Sequence, residues 1–111
     1  METSPRVIRR SEARLFMEGP EFCRHYVSTG MITFGTSSLQ PGQRGAVDTG
    51  HERSDEVFFC IEGHVLIHTE GTDHYELLPG DAIVIPPGIP HTLINVGDVP
   101  ALVSWSAGPT P

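Results

Sequence analysis

Three side chains in two separate segments of the chain have the types that bind a metal ion. His51 and Glu56 lie close together in the first segment, and His91 lies in the second. Two imidazoles and one carboxylate can hold a divalent ion and leave octahedral positions open for a substrate, water or dioxygen. These residues therefore predict a metal centre, on the condition that the fold brings the two segments together.

The spacing within the first segment requires a bend in the chain. Side chains alternate faces along a strand, so His51 and Glu56 would point to opposite faces of one straight strand. The polar run Arg53-Ser54-Asp55 is suited to a turn between them. Glu56 then begins a strand with its side chain pointing inward, and a buried carboxylate requires a partner. A metal ion is one such partner, and an ion pair with Arg53 is the alternative that needs no metal.

The second segment holds its ligand after a rigid turn. His91 follows Pro86-Pro87-Gly88-Ile89-Pro90, and prolines fix φ and reduce the conformational entropy of a loop. We therefore expect His91 to be in position before a metal ion binds.

Many short strands are the elements that have to position these residues. The chain contains 12 Gly and 10 Pro, which separate short runs of β-branched and aromatic residues. This pattern is typical of an all-β sandwich or barrel. The predicted strands cover residues 21–28, 31–39, 44–49, 56–62, 65–68, 74–78, 82–85, 91–95 and 101–105. Residues 11–17 are predicted to form one helical turn at most, residues 1–10 a terminal arm or an edge strand at 6–8, and residues 107–111 a loose tail.

Length and charge limit the classes of protein. A chain of 111 residues predicts a single domain, and the absence of a run of about 18 apolar residues argues against a membrane span. The formal net charge of −7 argues against a nucleic-acid partner, which needs a basic face. The charged first ten residues lack the apolar core of a secretory signal. We therefore expect a cytoplasmic protein in which Cys23 and Cys60 are free thiols.

Both segments resemble the two sequence motifs of the cupins. The second motif of that family, G-x5-P-x-G-x2-H-x3-N, is complete here from Gly80 to Asn95 and contains His91. The first motif, G-x5-H-x-H-x3–4-E-x6-G, is matched at Gly45, His51, Glu56 and Gly63. The resemblance covers about residues 42–105, which is more than half of the chain.

One ligand position of the first motif differs from the family pattern. If His51 takes the second histidine position, Thr49 stands at the first, and the spacing to Glu56 is kept. If His51 takes the first position, Arg53 stands at the second, and the spacer to Glu56 is too short. We prefer the first alignment, in which Thr49 holds a water or coordinates weakly through its hydroxyl group.

The resemblance implies a small antiparallel jelly-roll β-barrel with one divalent metal ion bound inside it by His51, Glu56 and His91. The sequence does not distinguish Fe, Mn, Zn, Ni and Cu, because availability often decides which metal is bound. One carboxylate on a divalent ion leaves a net positive centre, which favours an anionic or enolisable oxygen ligand. The candidate pocket walls are Phe34, Phe58, Cys60, Leu93 and Trp105.

The function implied by the resemblance is an enzyme that acts on a small polar, oxygen-bearing molecule chelated by the metal. The reaction would be of the dioxygenase type or of the isomerase, epimerase or lyase type. The alternatives are a small-ligand-binding module without catalysis and a metal-free structural barrel. The same resemblance implies a homodimer, with an N-terminal strand at residues 6–8 that crosses to the partner.

Overall fold

Residues 4–111 are described by a computed structural model. Their strands form two antiparallel sheets, one of six strands in the order β1-β2-β3-β9-β4-β7 and one of three in the order β6-β5-β8. No helix among these residues is long and apolar enough to cross a membrane. The strands are β1 (Arg14–Glu18), β2 (Glu21–Ser28), β3 (Thr33–Leu39), β4 (Asp55–Glu62), β5 (Val65–Thr69), β6 (His74–Leu77), β7 (Ala82–Ile85), β8 (His91–Asn95) and β9 (Ala101–Gly108).

This architecture confirms the predicted all-β jelly roll. Burial alternates along the strands with period two, as a sheet with one packed face requires. In β4, Phe58 and Cys60 are buried between the sheets, whereas Phe59 and Ile61 are exposed on the outer face. The buried apolar side chains of both sheets form one core, which includes Val65 and others from the smaller sheet.

The first strand differs from the prediction of a helical turn. Only Arg10–Glu12 form a short 3₁₀ helix, and the following residues form β1, which pairs with β2 over its full length. Leu, Met and Glu favour helices on their own, but pairing with β2 overrides that weak preference. The tight connection between the strands runs through Gly19, whose φ of 57° suits glycine. As a result, Phe16 and Glu18 face the interior of the barrel.

Two further segments differ from the expected elements. Residues 44–49 do not form a continuous strand but make two isolated bridges, Arg44 with Ile94 and Asp48 with His91. Residues 4–9 form no strand within the protomer, which fits the terminal arm of the two alternatives, and residues 1–3 lie outside the described residues. The tail is not loose, because β9 continues to Gly108 and the Thr110 N–H donates to the Gly30 carbonyl at 3.3 Å.

The end of β8 next to the Arg44–Ile94 bridge is held by one buried amide. The Asn95 side chain donates to the carbonyl oxygens of Leu39 at 3.0 Å and Val99 at 2.9 Å, and it accepts from the Gly97 N–H at 2.9 Å. Asn95 therefore ties the end of β8 to the end of β3 and to the following loop.

We predict that Asn95→Ala lowers the free energy of unfolding by about 2–4 kcal/mol, because it leaves buried backbone groups without partners. Denaturant unfolding measures this change. Asp98→Ala, which truncates an exposed side chain in the same loop, serves as the control and should change stability by less than about 0.5 kcal/mol. Equal stabilities of the two variants would contradict this role of Asn95.

Candidate metal centre

A cavity of about 260 Å³ lies inside the barrel, with walls from both sheets. His51, Glu56 and His91 all line it, so the fold brings the two motif segments together. The remaining lining residues are Phe16, Glu18, Glu21, Thr33, Ala46, Asp48, Phe58, Leu93 and Trp105.

The backbone holds the segment of His51 directly against the turn before His91. The Gly88 N–H donates to the His51 carbonyl at 2.8 Å. Gly50 has a φ of 89°, and a Cβ there would lie only 2.9 Å from the Ile89 carbonyl oxygen. A residue other than glycine would be strained and would push the two segments apart. This close approach positions the His51 side chain at the cavity.

The orientation of the His91 ring is fixed from its other nitrogen. Nδ1 lies 2.9 Å from the Ile89 carbonyl oxygen, which can only accept, so Nδ1 carries the proton of that hydrogen bond. The Phe58 ring packs edge-on against the imidazole at 5.5 Å between centroids. Nε2 therefore faces the cavity, and in the neutral imidazole it presents a lone pair there.

Two buried polar atoms meet in the cavity without a hydrogen bond. His91 Nε2 lies 3.0 Å from Glu56 Oε1, and the two residues are only 3% and 5% exposed. Within residues 4–111 neither atom makes a hydrogen bond, although their contact is short enough for one when His91 is protonated. His51 Nε2 lies 3.6 Å from the same carboxylate oxygen. Lone pairs that converge in this way require a proton or a metal ion between them, and two imidazoles with a carboxylate fit a divalent metal ion.

The charged groups around His91 also favour a bound cation. Burial by itself lowers the pKa of the imidazole, but the carboxylates of Glu56 and Asp48 and the Ile89 carbonyl outweigh burial and raise that pKa. The site is therefore one that attracts positive charge.

Asp48 is a metal-ligand candidate that the sequence analysis did not identify. Ligand atoms of Asp48, His51 and Glu56 lie within 4.8 Å of one another, and Asp48 Oδ2 is 3.6 Å from His91 Nε2. The position is fixed by the reciprocal backbone bridge of Asp48 with His91, at 2.8 and 2.9 Å. The Asp48 Oδ1 atom also accepts from the Gly50 N–H at 2.8 Å.

Thr49, which was expected to hold a water or act as a fourth ligand, is exposed and does not line the cavity. The reason is the alternation of side chains along the extended segment, which turns Asp48 inward and Thr49 outward. The signal available in the sequence was the Asp-Thr-Gly triplet, since an aspartate two residues before a glycine commonly bonds to its backbone.

The expected pocket walls divide into two groups. Phe58, Leu93 and Trp105 line the cavity, whereas Phe34 and Cys60 do not. Phe34 lies on the other face of β3 from Thr33 and packs against Tyr26. Cys60 lies one inward position further along β4, within the closed core.

The sequence analysis did not identify two further carboxyl groups that line the cavity. Glu18 and Glu21 come from the paired ends of β1 and β2, where Glu18 is opposite Glu21. Glu21 is 7% exposed, and its carboxyl group packs against Gly45. Burial and the charge of Glu18 raise the pKa of Glu21 to about 7, although a hydrogen bond with Ser37 opposes the shift.

These carboxyl groups change the expected charge balance of the site. With one carboxylate on a divalent ion, the centre would be positive, but Glu18, Glu21 and Asp48 face the same cavity as Glu56. No Arg among residues 4–111 lines the cavity, and the chain contains no Lys. With a divalent ion bound, the cavity therefore stays net negative. No ion pair joins Glu56 to Arg53 within residues 4–111, so the structure lacks the expected alternative to a metal.

The raised pKa of Glu21 predicts how stability depends on pH in the metal-free protein. Between the ordinary value of 4.5 and about 7, folded Glu21 keeps a proton that the unfolded chain has released. The free energy of unfolding therefore falls as pH rises through this window, and the loss is complete above it. Glu21→Gln removes this loss, so the variant should be more stable than wild type above pH 7, by up to about 3 kcal/mol.

Thermal and denaturant unfolding between pH 4 and 8 measure this difference. Glu62→Gln, on the exposed side of β4, is the control and should follow the wild-type curve. Parallel curves for wild type and Glu21→Gln would show that Glu21 ionises normally in the folded protein.

Comparison with known proteins assigns the family. The family model described as "Cupin domain" matches residues 35–106. A glucose-6-phosphate isomerase of Thermococcus litoralis is 35% identical over 82 residues, which cover 64% of this chain and 43% of that protein. An uncharacterized protein of Methanocaldococcus jannaschii is 40% identical over 50 residues, covering 45% of this chain and 39% of the relative. The chain thus spans less than half the length of these two relatives.

Solved structures agree with this assignment at the level of the fold. KdgF from Halomonas sp. superposes with a TM-score of 0.80 at 21% identity, covering 97% of this chain and 96% of that one. A predicted oxalate decarboxylase from Thermotoga maritima gives 0.78 at 19% identity, covering 93% and 98%. An RmlC-like cupin from Shewanella frigidimarina gives 0.77 at 17% identity, covering 99% and 96%. With the matching family model and the double-sheet barrel, these findings show that the chain belongs to the cupin domain family.

Proposed function

We propose that this protein is a metal-dependent enzyme that acts on a small polar, oxygen-bearing molecule. The ion is held by His51, Glu56 and His91, with Asp48 in the place expected for Thr49. The observation that carries the proposal is the pair of unpartnered atoms, Glu56 Oε1 and His91 Nε2, 3.0 Å apart and buried at the wall of an open cavity. A site that served only folding would have its buried polar atoms satisfied.

The chemistry that a bound divalent ion supplies is polarisation of a carbonyl or hydroxyl oxygen of the substrate. Among the chain's own residues, Glu21 can hold or release a proton at neutral pH because its pKa is about 7. Phe58, Leu93 and Trp105 exclude water from the apolar side of the cavity.

Proton transfer next to a carbonyl group, as in isomerases, epimerases and lyases, is the reaction type that these groups support best. The partial similarity to the isomerase of Thermococcus litoralis supports the same type. A dioxygenase is the second candidate, since two histidines with a carboxylate are a ligand set for non-haem iron. Oxygen consumption by the Fe²⁺-loaded protein with the substrate would favour the dioxygenase, and proton exchange with solvent would favour the isomerase type.

Turnover separates an enzyme from a ligand-binding module that uses the same metal. Screening the metal-loaded protein against small hydroxycarbonyl compounds in deuterated water detects proton exchange at carbon, whichever product forms. Binding without exchange or any other turnover would favour the module.

We also propose that the protein is a homodimer formed through the outer face of the six-stranded sheet. Apolar side chains from four of its strands are exposed on that face, among them Leu15, Phe22, Phe59, Ile61 and Val84. Exposed apolar residues clustered on one sheet face are typical of protein–protein interfaces. Residues 6–8, which form no strand within the protomer, would pair with the partner.

The metal proposal predicts about one divalent ion per chain in protein purified without chelators or a histidine tag. His91→Ala should lower metal affinity by at least about 100-fold, since it removes a ligand and not only a group that supports one. Elemental analysis and calorimetric titration measure both quantities. His64→Ala removes a half-buried imidazole that bonds to Glu76 on β6 and does not line the cavity, and it should leave affinity unchanged. Stoichiometric metal in a folded His91→Ala variant would contradict the ligand set.

The dimer proposal predicts that Phe59→Glu gives monomers, because the new charge would be buried at the interface. Analytical ultracentrifugation of wild type and variant measures this change. Tyr75→Glu introduces the same charge at an exposed aromatic residue of the smaller sheet and should remain dimeric. A wild-type monomer, or a dimer that survives Phe59→Glu and breaks with Tyr75→Glu, would contradict the interface.

A further inference from the structure

The cavity contains an acidic wall that the ligand set does not use. Glu18 and Glu21 line the cavity beside Ala46, on the edge formed by β1 and β2. Glu21 is buried, and Ser37 and the backbone of Ala46 lie close enough to lower its pKa against the effect of burial. Glu18 is exposed at the edge of the cavity. This wall therefore combines one fixed carboxyl group with one that solvent reaches.

The wall is rigid because a second polar network supports it. Ser37 is 3% exposed and accepts a hydrogen bond from Trp105 Nε1 at 3.0 Å. The Cys23 Sγ atom lies 3.3 Å from the same hydroxyl oxygen. The hydroxyl group beside the Glu21 carboxyl group is thus held by contacts from β2 and β9.

Acidic residues alone do not make a binding site, but this cavity carries an independent sign of a ligand. Glu56 Oε1 and His91 Nε2, each on a side chain more than nine-tenths buried, face the cavity without a partner. A molecule that fills the cavity would contact both these atoms, or the ion between them, and the acidic wall.

The ionisable side chains that line the cavity are mainly acidic. Among the described residues, four carboxyl groups line the cavity, and its basic side chains are the imidazoles of His51 and His91. Arg14 lies outside, although its guanidinium carbon is 5.0 Å from the centroid of the cavity-lining Phe16 ring. His25 also lies outside the wall and bonds to Thr33 at 3.3 Å. A phosphate or carboxylate in the cavity would therefore meet negative charge beyond the metal ion.

We infer that the substrate carries no phosphate or carboxylate group, and that Glu18 and Glu21 form a subsite for its hydroxyl or ammonium groups. This inference rests on the proposed function, since the metal ion anchors the other end of the substrate. Carboxylates accept hydrogen bonds from hydroxyl groups and pair with ammonium groups. The substrate class is thus an uncharged polyhydroxylated carbonyl compound or an amino derivative of one.

Three hydroxamic acids test this inference on the Co²⁺-loaded protein. They share the chelating group and the spacer, and they differ only at the far end. Butyrohydroxamic acid ends in a methyl group, β-alanine hydroxamic acid in an ammonium group and succinic monohydroxamic acid in a carboxylate. The cobalt absorption spectrum reports that the ion stays in the protein, and calorimetry gives each dissociation constant.

At pH 8, where Glu21 is ionised, we expect the carboxylate compound to bind at least about tenfold more weakly than the ammonium compound, with the difference shrinking as salt is added. Replacing both Glu18 and Glu21 by Gln should bring the two dissociation constants together. Glu62→Gln is the matched control, because Glu62 lies on β4 about 20 Å along the strand from Glu56, and it should preserve the wild-type ratio.

The possible results distinguish a failure of the inference from a failure of the proposed function. If no hydroxamate changes the cobalt spectrum, the centre is closed to chelating ligands, and both the proposed function and the inference fail. If all bind but the carboxylate compound binds as tightly as the ammonium compound, the inference fails and the metal site stands. If the wild type instead prefers the carboxylate compound and Arg14→Gln loses that preference, Arg14 recognises the ligand and the acidic subsite is overturned. An unchanged ratio in the double Gln variant would overturn it as well.

Discussion

The contact on which the site depends is the one between His91 Nε2 and Glu56 Oε1, 3.0 Å apart and without a hydrogen bond. Two electron-rich atoms do not stay this close in a buried place unless a proton or a metal ion lies between them. Burial lowers the pKa of His91, but Glu56, Asp48 and the Ile89 carbonyl outweigh burial and raise it, which favours a proton in this place when no metal is bound. Binding of a metal ion would displace that proton, so affinity should fall in acid.

The rest of the barrel keeps these two atoms from separating. Glu56 begins β4, which lies between β7 and β9 in the larger sheet, and His91 begins β8 at the edge of the smaller one. The Asp48 bridge and the close approach of Gly50 to Ile89 connect the loop segment to β8. Asn95 then fixes the other end of β8. The ligands thus come from separate elements, each held by backbone contacts, and the site is largely formed before an ion arrives.

Sequence reasoning located the elements whose local signals agree with their tertiary setting. The apolar strand after Glu56, the proline turn before His91 and the hairpin of β5 and β6 carry clear period-two patterns or turn residues, and they were placed within one or two positions. The cupin motifs identified both segments of the site, and the family and fold were predicted correctly from them.

What the sequence analysis missed depended on contacts that no local pattern encodes. β1 contains helix-favouring residues, and only its pairing with β2 makes it a strand and turns Glu18 inward. The bridge to β8 decides which side chains of residues 44–49 point into the barrel. The sequence does not show this register, and a shift of one residue led to Thr49 being predicted at the site in place of Asp48. Glu21 gains its raised pKa from burial, next to a glycine that is distant in sequence, and from the charge of Glu18. The charge of the cavity, and with it the expected substrate class, follows from these three residues.

The most direct test of the central claim is anomalous diffraction from crystals of the protein loaded with Zn²⁺ or Mn²⁺, recorded at the absorption edge of that metal. We expect one strong peak per chain, about 2.0–2.3 Å from His91 Nε2, a Glu56 oxygen and the His51 ring, with Asp48 as the fourth protein ligand. A peak elsewhere, or none at the cavity in crystals shown to contain stoichiometric metal, would contradict the metal centre.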